Sequence, residues 1–174
     1  MRSEHRASLP TRQCARDPIL AGMIQVRCDT DADTRAVARR LAALCRAGDI
    51  IVLNGTLGAG KTAFAGGLAD GMGVEEPVTS PTFVLMRSYT SGFLPLVHVD
   101  AYRLQTIGEF EDLAAVEAGE DGVVVIEWGT AVAAALPRDR LEIELRVEDD
   151  GARTLLFTPF GSWLGRPLEE VTWT

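Results

Sequence analysis

The sequence predicts an α/β fold: a three-layer sandwich with a mixed sheet, parallel strands at its centre and antiparallel hairpins at its flanks. Two short runs, 50–53 and 123–126, contain only branched apolar residues, as strands buried on both faces of a sheet do. A glycine-rich loop and a helical segment directly follow the first run, forming a strand–loop–helix unit. Two pairs of strand-like segments are separated by turn residues, which predicts hairpins.

The first half of the chain alternates strands and helices. A first strand is indicated where apolar residues alternate with polar ones at Ile24, Val26 and Cys28. Residues 29–33 offer N-cap side chains for a helix, which Gly48 is expected to end. The apolar run 50–53 is the next strand, and the following helix covers about 61–71. These segments should form the centre of the sheet and the helices that cover it.

The second half contains the hairpins. Segments 83–89 and 94–100 are predicted strands joined by a turn at 90–92, and the acidic stretch 105–120 is expected to be partly helical. The strand 123–126 precedes a short helix at 130–136, which Pro137 stops. Segments 141–147 and 153–158 alternate around the turn 149–151 as a closing hairpin. Parallel strands in the middle would carry a site at their C-terminal ends.

The chain is interpreted as one domain, residues 23–158, between two terminal segments. Its 47% hydrophobic content is enough to fill one core. Residues 1–22 contain four arginines and two prolines without periodicity, which suggests a disordered leader or a start codon assigned too early. The C-terminal tail 159–174, with Trp163 and Trp173, is expected either to be disordered or to contact partners.

Charge and cysteine content exclude several classes of protein. The net charge is −8, and the basic leader leaves −10 on the rest, so the domain should not bind DNA or RNA by itself. No run approaches the roughly 18 apolar residues of a membrane span. Three cysteines without metal or redox spacing are typical of reduced thiols, which predicts a cytoplasmic protein.

The glycine-rich loop predicts a nucleotide site. Residues 55–62 read GTLGAGKT, which fits G-x-x-x-x-G-K-[ST] between a buried strand and a helix, and makes the fold P-loop NTPase-like. Lys61 should reach the β- and γ-phosphates, and the Thr62 hydroxyl should bind Mg²⁺. Backbone N–H groups of the loop and helix start should bind the phosphates, which adds Gly58, Ala59, Gly60 and Ala63 to the binding residues.

Lys61 is the only lysine in the chain. The guanine-specificity motif N-K-x-D is therefore excluded, because it needs a second lysine. We therefore predict ATP with Mg²⁺ as the ligand.

Two predicted strands end in an acid, Asp100 and Glu127. Hydrolysis needs carboxylates at strand ends beside the phosphate loop. Glu127, after four apolar residues, is placed to support the metal, and Asp100 to orient the attacking water or to act as base; the reverse assignment is also open.

Three neighbouring features are ambiguous. His98 is interpreted as a satisfied histidine on a half-buried strand. Arg103 either stabilises phosphate charge or pairs with nearby acids. The acidic residues between 109 and 121 form a solvated face or, alternatively, a docking face for partners.

With these residues placed, the chain resembles TsaE, the bacterial ATPase family of tRNA threonylcarbamoyladenosine biosynthesis. The resemblance covers about residues 23–158. It rests on five blocks in order, which are GTLGAGKT at 55–62, TSPTF at 79–83, HVDAYRL at 98–104, EDL at 111–113 and IEW at 126–128.

The resemblance implies a P-loop ATPase that is weak alone and acts with two partners of sugar-kinase-like fold, one of them the threonylcarbamoyl transferase. The product is a modified adenosine beside the anticodon of tRNA, which the protein reaches only through that complex. Asp100 and Glu127 then correspond to the acids needed for activity, and Asp31 and Gly151 to positions that approach the nucleotide.

The resemblance also implies that residues 80–82 form a mobile loop near the γ-phosphate. One departure is that Thr56 stands where the family commonly has an acid, in GDLGAGKT. The role of that side chain is therefore in doubt.

Two other functions fit the phosphate loop. A small-molecule kinase would close an arginine-bearing lid over the phosphates, but the candidate region 105–121 contains no arginine. A nucleotide-dependent interaction module would need binding but not hydrolysis. It would keep its biological output after Glu127→Ala.

Overall fold

The computed structural model describes residues 23–172. We number the strands and α-helices in chain order and leave the 3₁₀ helices unlabelled. The strands are β1 (Ile24–Cys28), β2 (Asp49–Gly55), β3 (Met86–Tyr89), β4 (Leu96–Asp100), β5 (Val123–Glu127), β6 (Arg140–Val147) and β7 (Arg153–Phe160). The α-helices are α1 (Asp31–Ala42), α2 (Lys61–Met72), α3 (Ile107–Glu111) and α4 (Ala115–Ala118), and the 3₁₀ helices are Ala101–Arg103, Gly129–Ala135, Gly161–Gly165 and Leu168–Val171.

All seven strands form one mixed sheet in the order β1-β7-β6-β2-β5-β4-β3. The central strands β6, β2, β5 and β4 are parallel, and antiparallel partners flank them on both sides. The α/β fold with a centrally parallel sheet and flanking hairpins is therefore confirmed. Because the central strands share one direction, their C-terminal ends meet at one edge of the sheet.

Each face of the sheet has its own core. On one face, α1 and α2 cover the inward side chains of β2, β6 and β7, with Phe64 and Phe157 among the fully buried residues. On the other, α3, α4 and the 3₁₀ helix Gly129–Ala135 cover β4 and β5 through residues such as Phe110 and Val132. This arrangement is the predicted three-layer sandwich.

Helix α1 begins within the predicted N-cap segment 29–33 but ends before the predicted position, Gly48. Thr30 is the N-cap and forms a capping box with Asp33, whereas the helix ends at Ala42 and not at Gly48. Gly48 instead lies in the turn before β2, where its N–H donates to the Gly122 carbonyl. The expectation that Gly48 closes the helix was wrong because its left-handed φ of 83° serves this later turn.

Close approach of α1 and α2 sets the direction of both helices. A Cβ at Gly67 would lie 2.5 Å from the Arg35 carbonyl oxygen, so glycine is required there. A Cβ at Gly71 would meet Arg39 in the same way, one helical turn further along both helices. The two helices therefore run parallel, and both N-termini lie at one edge of the sheet.

The C-terminal segment packs into the core beneath α1. Trp163, Leu168 and Val171 are all buried against it. Of the two expectations for the tail, disorder was therefore wrong for 161–171, because these apolar side chains complete the core. Residues 1–22 and Trp173 lie outside the described residues.

Smaller differences concern the segments around the site. The strand expected at 83–89 is shorter, because β3 begins at Met86 and residues 83 and 84 are exposed. The short helix at 130–136 is a 3₁₀ helix, Gly129–Ala135. The acidic stretch forms the two short helices α3 and α4. No helix between residues 23 and 172 is long and apolar enough to cross a membrane.

Candidate functional site

A cavity of about 370 Å³ opens at the C-terminal edge of the parallel strands. The register pairs Asp100, the last residue of β4, with Glu127, the last residue of β5. Glu127 is also paired with Leu53, two residues before the end of β2. The cavity is lined by Leu57, Gly58, Gly60, Lys61, Thr62, Ala63, Ser80, Thr82, Asp100, Tyr102, Glu127 and Trp128. Tertiary structure thus joins four separate sequence blocks in one place.

The loop between β2 and α2 has the backbone of an anion-binding site. Gly55 has a φ of 144°, and a Cβ there would lie 2.5 Å from the Leu145 carbonyl oxygen, so no other residue fits. The first intrahelical bond of α2 runs from Phe64 N–H to the Gly60 carbonyl. The N–H groups of Lys61, Thr62 and Ala63 therefore have no partner within the helix. Together with the helix dipole they favour a bound phosphate.

Lys61 is a buried cation whose hydrogen-bond partners are neutral. Its side chain is 4% exposed, and Nζ donates to the carbonyls of Gly55 at 2.8 Å and Thr56 at 2.9 Å. Nζ also lies 3.6 Å from the centroid of the Trp128 ring. Burial lowers the pKa of Lys61, and the nearby charges of Glu127 and Asp100 oppose that shift. An ammonium held mainly by carbonyl dipoles can still gain from an anionic ligand such as a phosphate.

Glu127 and Thr62 form the pair expected of a magnesium site. The Thr62 hydroxyl donates to Glu127 Oε1 at 2.8 Å, which turns its lone pairs away from the carboxylate. Mg²⁺ prefers oxygen ligands and usually combines one or two carboxylates with substrate phosphates. Within residues 23–172, no cluster of three or more His, Cys, Asp or Glu could hold a metal by itself. The Thr62 hydroxyl and the Glu127 carboxylate are oxygen ligands of the kind that the protein supplies where Mg²⁺ is shared with a nucleotide.

Asp100 is held by hydroxyl groups from the segment 80–82. Its Oδ2 accepts from Ser80 Oγ at 2.8 Å and from Thr82 Oγ1 at 2.6 Å, while Oδ1 accepts from the backbone N–H of Tyr102 at 3.0 Å. The side chain is 2% exposed. The two acids are thus neighbours in different environments, since a threonine of the phosphate-loop helix bonds Glu127 and the 80–82 segment bonds Asp100.

Sequence reasoning underestimated His98. The ring is fully buried rather than half-buried, and Nε2 lies 3.0 Å from Glu127 Oε1. A signal was present: side chains alternate along a strand, so His98 and Asp100 point to the same face of β4. A histidine two residues before a site acid is therefore a candidate for the same site.

Two aromatic residues of the site were also missed as site residues. Trp128 and Tyr102 line the cavity with ring centroids 4.9 Å apart. Trp128 adopts a left-handed φ of 62°, which is rare for a bulky residue. Such outliers cluster at functional sites, but a backbone angle is not visible in a sequence.

Other predicted site residues lie outside the cavity lining. Asp31 begins α1 and accepts from Arg35, and Gly151 lies in the β6–β7 turn; both are at the same sheet edge. Ala59 is fully buried, and its N–H donates to the Thr56 carbonyl. Arg103 lies over Phe83, with its Cζ atom 5.5 Å from the ring centroid. The Thr56 side chain is exposed.

Comparisons with known proteins point to one family. The family model of "Threonylcarbamoyl adenosine biosynthesis protein TsaE" matches residues 28–155. A protein of Bacillus subtilis named "tRNA threonylcarbamoyladenosine biosynthesis protein TsaE" is 39% identical over 141 residues, which cover 80% of this chain and 88% of that protein. A protein of the same name from Streptomyces coelicolor is 49% identical over 114 residues, 64% of this chain and 77% of that protein.

A solved structure shows the same fold. The crystal structure of Bacillus subtilis YdiB superposes with a TM-score of 0.72 at 33% sequence identity. The superposition covers 86% of this chain and 93% of that one.

Proposed function

The chain belongs to the TsaE family of threonylcarbamoyl adenosine biosynthesis proteins, and we propose that within this pathway it binds ATP with Mg²⁺ and hydrolyses it. Hydrolysis would support threonylcarbamoylation of the adenosine next to the anticodon of tRNA. The observation that carries the proposal is the cavity where buried Lys61, the N-terminus of α2 and the paired acids Asp100 and Glu127 meet.

The phosphate-binding part of the site supports the nucleotide. The N–H groups at the start of α2 would bind phosphate oxygens, and Lys61 would exchange its carbonyl partners for the β- and γ-phosphates. Thr62 and Glu127 would hold Mg²⁺, which supplies positive charge that stabilises the transferring phosphoryl group. Ala63 lines the cavity beside these residues. Asp31 and Gly151, at the same edge, remain proposed contacts to the rest of the nucleotide.

Asp100 is proposed as the group that orients the attacking water and accepts its proton. The hydroxyl groups of Ser80 and Thr82 occupy its Oδ2 atom. Both hydroxyl groups belong to a segment outside β4. A movement of residues 80–82 would therefore free the Asp100 carboxylate oxygen to bind water. This arrangement is consistent with weak hydrolysis by the isolated protein.

The proposed partners are the threonylcarbamoyl transferase and its sugar-kinase-fold companion, in the cytoplasm. Two exposed aromatic side chains lie near the cavity: Tyr102, 57% exposed, lines it, and Phe83, 88% exposed, directly follows the lining residue Thr82. Arg103 lies beside Phe83, and the acidic helix α3 follows directly. We propose this surface as the docking face. Complex formation that is unchanged by charge reversal of Glu111 and Asp112 would contradict it.

The direct test is multiple-turnover threonylcarbamoylation of tRNA by the two partner proteins with ATP and Mg²⁺. Wild type should restore turnover, and Lys61→Ala should not, because the phosphates lose their buried cation. Arg39→Ala is the matched control, since it removes an exposed cation that pairs with Asp70. If wild type adds nothing over the partners alone, the proposed role in the pathway is wrong.

A further inference from the structure

His98 is a buried polar residue that the proposed mechanism does not use. It lies in the middle of β4 with its side chain 0% exposed, and its register partner in β5 is Val125, two residues before Glu127. The Nε2 atom lies 3.0 Å from Glu127 Oε1. Because a carboxylate oxygen accepts hydrogen bonds, Nε2 must carry the hydrogen and donate it.

The rest of the ring offers no structural reason for a histidine. Within the described residues, Nδ1 is buried and has no hydrogen-bond partner. A buried polar atom without a partner is unfavourable, so an apolar side chain would suit packing alone better. The bond from Nε2 to Glu127 is therefore the contact that accounts for the residue.

We propose that His98 is a positioning residue that fixes the Glu127 carboxylate for the divalent cation, an inference that rests on the proposed function. Thr62 Oγ1 and His98 Nε2 donate to the same oxygen, Oε1. Two donors from different elements set the position and rotation of the carboxylate. The Thr62 hydroxyl hydrogen is also committed to Glu127, which leaves its lone pairs for the cation.

Without His98, the Glu127 carboxylate keeps only the Thr62 hydroxyl as a donor to Oε1. A carboxylate held by one donor can rotate, so its oxygens no longer hold one position for the cation. Lys61 does not depend on that rotation, because its Nζ atom is held by the Gly55 and Thr56 carbonyls. Loss of His98 should therefore weaken the metal part of the site and leave the phosphate-binding part in place.

The test compares three substitutions that separate the Nε2 donor from packing and polarity. His98→Gln places an amide nitrogen, the same number of bonds from Cβ as Nε2, where it can donate to Glu127. His98→Asn places its amide nitrogen at the position of Nδ1, too short to reach. His98→Leu fills the space without any donor.

The measurement is calorimetric binding of the non-hydrolysable analogue AMP-PNP, first in EDTA and then over a series of MgCl₂ concentrations. Mutating a residue that hydrogen-bonds to a metal ligand typically lowers metal affinity by about 10–100-fold. We therefore expect His98→Leu and His98→Asn to need a Mg²⁺ concentration about 10-fold higher or more to reach the same gain in AMP-PNP affinity as wild type. The affinity for AMP-PNP in EDTA should stay near the wild-type value. His98→Gln should keep the wild-type Mg²⁺ dependence. In a protein that already carries Glu127→Ala, adding His98→Leu should not change the Mg²⁺ dependence of AMP-PNP binding any further.

Each other outcome overturns the inference. Wild-type Mg²⁺ dependence in His98→Leu, or equal behaviour of His98→Gln and His98→Asn, would show that the donor at Nε2 is not used. If His98→Leu does not fold, the Gln and Asn variants decide the question by the same criterion. If wild type binds AMP-PNP without any Mg²⁺ enhancement, the proposed metal site fails and the role of His98 fails with it. Enhancement in wild type that all variants share rejects only the role of His98.

Discussion

The two ends of strand β2 both carry buried charge, but they neutralise it differently. At the C-terminal end, Lys61 is bonded to carbonyls, and Glu127 accepts from Thr62 and His98. At the N-terminal end, Asp49 forms two bonds of 2.5 and 2.6 Å with the Arg166 guanidinium, whose Cζ lies 3.8 Å from the Trp163 ring centroid. At the C-terminal end the hydrogen-bond partners of Lys61 are neutral, whereas at the N-terminal end the partner of Asp49 carries the opposite charge.

This difference separates the proposed ligand site from a structural contact. A charge held by neutral groups can still gain by meeting an opposite charge, which a phosphate or a cation brings. A bidentate ion pair already has its counter-charge and gains nothing from a ligand. Asp49 and Arg166 instead join the start of β2 to the C-terminal segment 161–171. A buried charged residue therefore indicates a ligand site only when a charged ligand can displace its hydrogen-bond partners within the chain.

The largest expected effect comes from removing the charge at the C-terminal end. Glu127→Gln keeps an oxygen that accepts from Thr62 and His98 but loses the charge that would support Mg²⁺ in the proposed site. We expect ATP hydrolysis to fall by about 100-fold or more, and tRNA modification to fail, while unfolding in urea changes little. Steady-state phosphate release and a urea titration measure the two effects. If the variant still supports tRNA modification at the wild-type rate, only binding is needed.

The same acid-to-amide change at the other end should affect stability instead. Asp49→Asn leaves the Arg166 guanidinium buried without a counter-charge, and breaking one side of a buried pair costs about 3 kcal/mol or more. The urea midpoint should fall, and hydrolysis per folded molecule should stay at the wild-type rate. Glu144→Gln is the matched control, because its pair with Arg146 is half-exposed and should contribute little. Loss of hydrolysis without loss of stability would refute the separation of the two ends.

The smallest expected effect is on the pH dependence of stability near Asp49. Burial raises the pKa of the Cys45 thiol well above 9.0, and the Asp49 charge adds to the shift while Arg166 opposes it. Above about pH 9 the thiol ionises in the unfolded chain but not in the native one, so the native state binds more protons. The free energy of unfolding should therefore fall with rising pH, by up to about 1.4 kcal/mol per pH unit for this group.

Cys45→Ser should make that fall shallower between pH 9 and 10.5, because serine does not ionise there. Urea titrations at several pH values compare the slopes. The slope should not vanish, since burial also raises the pKa of Cys28. Identical slopes in the variant and in wild type would contradict the assignment.

The sequence alone determined the fold class, the phosphate loop, the two site acids and the family resemblance. All of these depend on short-range patterns: the apolar runs that became β2 and β5 were recognisable because strands buried on both faces tolerate few polar side chains. The loop motif likewise specifies its own backbone, since its glycines and helix start are contiguous in the chain.

Only the tertiary structure decided the roles that depend on contacts between distant residues. His98 acquired its bond to Glu127, 29 residues away, through the register of β4 with β5. Arg166 reaches Asp49 across 117 residues, which turned the expected tail into part of the core. Such pairs carry no local signature, because a side chain's partner is set by strand order and packing, and these emerge only when the whole chain has folded.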